Sequence, residues 1–174
     1  MLRKILSWGV IGGVIAGGLL SISVLALRQH GMASGYLIML LGLSTIFVAI
    51  KRQRDIEQGG VIRFWPAFGL GIGISVIAGI VYVAIWETSV ALAGVDFAGD
   101  YARAVIAQQK ANGASGAELA KVSVEMAAFQ AQYANPLFRW PMTFVEIFPV
   151  GVLVSVVSAG LLCNSRFLPA RHRA

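Results

Sequence analysis

At 174 residues, with 57% hydrophobic and only 13% charged residues, the chain carries far more apolar sequence than a soluble core needs. The formal charge of +6 invites a nucleic-acid reading, but the basic residues gather beside apolar runs instead of along one groove-sized face, which argues against nucleic acid. A single cysteine, Cys163, excludes an internal disulfide and a cysteine-based metal cluster.

The first apolar run, 5–27, has no Asp, Glu, Lys or Arg. Crossing about 30 Å of hydrocarbon takes roughly 20 such residues, so the run qualifies as a span. A signal peptide has an apolar region of only about 7–15 residues and a small-residue cleavage site, so an uncleaved span is expected. Within it Gly9, Gly13, Gly17 and Ser21 recur every four residues, a face that lets helix backbones approach closely. Packing within the chain is the expected use of that face, and a homodimer is the sharper alternative.

A short connection over 28–35 makes the second span, 33–50, an antiparallel neighbour of the first. The next connection, KRQRDIEQGGVIRF at 51–64, combines juxtamembrane charge with a Gly59–Gly60 break. Phe64, Trp65 and Pro66 open the third span, 64–92, with aromatic rings at interface depth and proline in the tolerated first turn. That span outruns the hydrocarbon thickness and should tilt or protrude. It repeats the small-residue device at Gly71, Ser75 and Gly79.

Residues 93–140 form the one sizeable segment outside the spans. Phe97, Tyr101 and Val105 make a short apolar stripe that ends at Asn112–Gly113. Ser115 and Glu118 then read as a capping box, followed by the stripe Leu119, Val122, Met126, Phe129 and Tyr133. Asn135–Pro136 closes it, and a helical hairpin is expected, its apolar faces meeting each other or lying on the membrane surface. The fourth span, 141–163, carries Gly151 and Ser155 at helical spacing and ends at Cys163, expected as a small buried thiol.

Glu146 is the one acid well inside an apolar run. Arg139, Thr143 and Glu146 share a helical face, and Pro149 removes a backbone donor, which predicts a helix break there. Glu87 ends the apolar part of the third span at similar depth, so a polar network of Glu87, Arg139, Thr143 and Glu146 is expected. An ionisable residue in a membrane is a functional hypothesis by default, although an ion-paired structural network fits these residues first. No metalloprotease, phosphate-loop or nucleophile-elbow pattern occurs, and His30 and His172 fall on opposite sides of the expected membrane. The expectation is therefore no enzyme, no cofactor and no metal.

The positive-inside bias orients the spans. With the N-terminus cytoplasmic, Arg3, Lys4, Lys51, Arg52, Arg54, Arg63, Arg166, Arg171 and Arg173 share that side, against Arg28, Arg103, Lys110, Lys121 and Arg139. Both termini are thus expected in the cytoplasm, with 93–140 extracytoplasmic.

Three stretches carry a family resemblance: GYLIMLLGLSTIFVAIKRQRD at 35–55, GGVIRFWPAFGLGIGISVIAGIVYVAIWE at 59–87, and NPLFRWPMTFVEIFPVG at 135–151. They resemble a bacterial family of small four-span inner-membrane proteins catalogued only as a domain of unknown function. The resemblance implies a motif over Asn135, Pro136, Arg139, Pro141, Glu146, Pro149 and Gly151, and it brings no activity, substrate or cofactor. The chain thus reads as one all-α, polytopic membrane domain over 1–174, multi-pass in a bacterial inner membrane. The expected role is a non-enzymatic scaffold or accessory subunit, in contact with membrane lipid and with a membrane-protein partner or further copies of itself. The alternative is a small proton- or cation-coupled transporter or channel subunit using Glu87 and Glu146.

Overall fold

The computed structural model describes residues 1–26, 32–94 and 96–169, and among these it contains helices and no strand. Arg28, His30, Arg171, His172 and Arg173, which entered the orientation and metal arguments, lie outside the described residues. In chain order the helices are α1 (Leu2–Ser21), α2 (Met32–Arg52), α3 (Phe64–Ala93), α4 (Phe97–Ala111), α5 (Gly116–Tyr133) and α6 (Pro136–Leu162). π-helical turns extend α1 over Ile22–Ala26 and α2 over Gln53–Glu57. Four helices are long and apolar enough to cross a membrane, over Leu2–Leu25, Ala33–Glu57, Phe64–Ala93 and Pro136–Leu162. The chain is a multi-pass membrane protein.

Three features of the fourth span differ from the sequence expectation, each for a local reason. The fourth span begins at Pro136, not 141, because proline suits a first helical turn and the Asn135 side-chain oxygen accepts the Leu137 N–H at 3.0 Å. It then runs unbroken through Pro141 and Pro149, so Pro149 forfeits a hydrogen bond without ending the helix. Cys163 is exposed, not buried, since α6 stops at Leu162 and leaves it beyond the last turn. Gly59 and Gly60, at φ +62° and +89°, terminate the extension of α2, in a region open to glycine and costly for other residues.

The chain forms two compact units, Met1–Ser89 with Phe144–Ala174, and Val90–Thr143. In the first, the membrane unit, small residues set the helix contacts. A Cβ on Gly13 would stand 2.7 Å from the Ala78 carbonyl oxygen, and one on Gly42 would stand 2.8 Å from the Gly12 carbonyl oxygen. Gly9 and Gly17 likewise meet Ile77 and Ile85, so the glycine face of α1 packs against α3. Helices α3 and α6 cross through a reciprocal pair, with Gly71 against Ser155 and Gly151 against Ser75. The two serine hydroxyls lie 3.3 Å apart, and each donates back to its own helix, to Gly71 and Gly151. Lipid supplies no hydrophobic drive for helix association, so close packing of this kind carries it. Met39, Leu43, Ile46, Leu70, Ile74, Tyr82 and Ile147 fill the centre.

The second unit is held by rings. Phe97 on α4 stands 5.9 Å from Tyr133 on α5, and Tyr101 stands 5.7 Å from Phe129, an order that makes the two helices antiparallel. Asp96 caps α4 by accepting from the Gly99 N–H at 2.9 Å, and the Ser115–Glu118 capping box of α5 is formed. The half-buried positions of α5 are Leu119, Val122, Met126 and Phe129, whereas Val124 between them is exposed.

Candidate functional site

The polar residues singled out from sequence divide between the two units. Arg139 and Thr143 belong to the ring-packed unit, Glu87 and Glu146 to the membrane unit. Within the former, the Arg139 guanidinium donates to the Tyr133 carbonyl at 3.2 Å and lies 5.5 Å from the centroid of the Tyr133 ring. Thr143 is buried, and its hydroxyl donates to the Arg139 carbonyl at 3.0 Å. Both groups are therefore engaged with backbone of their own unit. Glu87 is half-buried on α3.

Glu146 is exposed on α6, and no donor among the described residues bonds its carboxylate. Pro149, Leu153, Val157 and Gly160 follow at steps of three, four, four and three, all exposed and on the same side of the helix. Their opposite side is packed, with Ile147, Gly151, Ser155 and Ala159 buried. Measured back from Leu162 at about 1.5 Å per residue, Glu146 lies roughly 24 Å along the helix. The outward face of α6 thus presents one carboxylate in an otherwise apolar row.

At the other end of α6 the structure builds a site that sequence reasoning treated only as loop charge. Arg54, in the π-helical turn after α2, is 0% exposed. Its guanidinium donates to the Phe167 carbonyl at 2.9 Å, the Leu168 carbonyl at 2.5 Å and, more weakly, the Leu162 carbonyl at 3.4 Å. Its Nε donates to Asp55 at 2.6 Å, and Asp55 also receives Lys51. A planar cation with five donors is suited to the orphan carbonyls at a helix C-terminus, where the helix dipole also favours positive charge. The grip holds Leu168 at φ +47°, a left-handed conformation that leucine seldom adopts. Phe47 and Phe167 pack edge to face beside it, their ring centroids 6.5 Å apart. The only advance signal was the juxtaposition of Arg54 with Asp55, and three nearby basic residues masked it.

Among the described residues no cluster of His, Cys, Asp and Glu could hold a metal ion. A family model described as Protein of unknown function (DUF4199) matches residues 7–164. No curated protein and no solved structure matches the chain.

Proposed function

This chain belongs to the DUF4199 family of proteins of unknown function, and from that premise we propose that it is a non-enzymatic accessory or scaffold subunit that engages a second membrane protein through the outward face of α6. One observation carries the reading: Glu146 is exposed on an apolar span with no donor among the described residues. A charged carboxylate facing hydrocarbon at a helix centre costs roughly 2.5–3.5 kcal/mol, less toward the interface. The partner that removes this cost is an apolar helix with a hydrogen-bond donor or cation at matching depth. Gly160 and Pro149 on the same face leave low ground for close approach.

A carrier would instead draw on Glu87 and Glu146. Apart from Arg54, Tyr82 and Trp86, the buried side chains of the membrane unit that carry polar atoms, among the described residues, are those of serine and threonine, and none is a carboxylate, which favours the scaffold. The setting proposed is a bacterial inner membrane with both termini cytoplasmic, supported by the basic residues at the ends of the first two spans. A reporter fused after the last residue, active only in the cytoplasm, tests the orientation.

The partner is tested by a photo-crosslinking residue at Leu153 in native membranes. The expected product is one discrete protein adduct that weakens in Glu146→Gln. Adducts to lipid alone, or proton flux through the purified protein in vesicles, would overturn the proposal.

A further inference from the structure

We propose that a cavity between the start of α1 and the end of α2 binds the phosphate of an anionic phospholipid headgroup. The cavity encloses about 310 Å³, at the small end of ligand pockets, which suits a headgroup whose acyl chains stay in the bilayer. Arg3, Lys4 and Arg52 line it, against Glu57 as the one acid. Lys4 is already committed, since it donates to Gln53 at 2.6 Å and pairs with Glu57. That pairing positions its ammonium and offsets the single negative charge.

Arg3 and Arg52 differ from it. Both are exposed, and neither guanidinium has an acceptor among the described residues. Two uncommitted guanidinium groups on one cavity are matched to a phosphate, which takes planar, bidentate donors. The inner wall is apolar, formed by Trp8 and the buried Ala49. A free inorganic anion gains nothing from such a wall, whereas the glycerol and first methylenes of a lipid do. The ends of two candidate spans form the cavity, which is the depth of the headgroups. The inference needs no partner on α6, so its failure and that of the scaffold reading are separate events.

The test uses the full-length protein purified in a neutral detergent and titrated with phosphatidylglycerol, phosphatidylcholine or inorganic phosphate. Native mass spectrometry counts bound lipid, and the thermal midpoint reports occupancy. Phosphatidylglycerol is expected to bind and raise the midpoint, phosphatidylcholine is not, and Arg3→Gln/Arg52→Gln should lower phosphatidylglycerol affinity about tenfold or more. A control pair, Arg63→Gln/Arg166→Gln, removes the same charge elsewhere and should retain binding. Equal retention by the site variant, or equal loss by the control pair, overturns the site. A shift reproduced in full by inorganic phosphate overturns the lipid as its occupant.

Discussion

The Arg54 guanidinium donates to the Phe167 carbonyl at 2.9 Å, tying the end of the second span to the chain just past the fourth across 113 positions of sequence. Arg54 itself is fully buried, so its guanidinium depends on that bond and on its companions to Leu162 and Leu168 to replace water. The juxtamembrane segment therefore anchors the C-terminal end of α6 as well as carrying charge.

Arg54→Met should lower stability by on the order of 3 kcal/mol, because it removes the donors of three carbonyls, the Leu162 one buried and the other two part-buried, and of part of the Asp55 carboxylate at once. Arg54→Lys keeps the charge but loses the planar fork, and should recover only part of the loss. Thermal unfolding of the purified protein in detergent separates the three proteins. A Met variant as stable as the parent would show that the guanidinium contacts contribute nothing net.

The glycines of α1 should respond oppositely according to what faces them. Gly13→Ala puts a methyl group 2.7 Å from the Ala78 backbone oxygen, which cannot withdraw without moving α3, so a loss of about 1–3 kcal/mol is expected. A Cβ on Gly18 meets nothing within 4 Å, and Gly18→Ala should stabilise by roughly 0.4–1 kcal/mol through the unfolded chain. Thermal midpoints that move together in the two variants would contradict the close approach of α1 to α3.

The start of α5 should fray in acid. Hydrogen bonds from the Ser115 backbone N–H, at 2.7 Å, and from its hydroxyl, at 2.9 Å, hold the Glu118 carboxyl below its ordinary value of 4.5. A carboxyl lowered in the folded state contributes stability above its unfolded value and loses it as pH falls through the lowered one. Hydrogen exchange in the first turn of α5, corrected for intrinsic rates, should therefore accelerate below pH 4.5 in the parent protein. Glu118→Gln should abolish that pH dependence, and an acid response that persists in this variant would rule the cap out as its source.

Glu146→Gln should leave the isolated protein as stable as the parent, within about 0.5 kcal/mol, since no donor among the described residues bonds the carboxylate. Thermal unfolding in detergent checks this. A large loss would instead assign Glu146 a structural role inside the chain.

What the amino-acid sequence determined by itself was every feature that depends on composition and short spacing. Runs of twenty or more apolar residues dictate spans, because hydrocarbon rejects unpaired backbone and favours the helix. Ser115 and Glu118 dictate a cap because their reach is three residues, and Asn135–Pro136 dictates a boundary. Which small residues meet was beyond local pattern. The period of four in Gly9, Gly13 and Gly17 is equally compatible with another helix of the chain or a second copy, and only the placement of Ile77, Val81 and Ile85 decides for α3. Arg54 illustrates the same limit for charge. Four basic residues beside a span look alike in sequence, yet only the one that the π-helical turn aims at the end of α6 is buried and bonded there, because burial is set by what the distant chain places opposite it. The outward aim of Glu146 was likewise decided by tertiary packing, which turned the Gly151–Ser155 side of α6 toward α3 and left the carboxylate on the other.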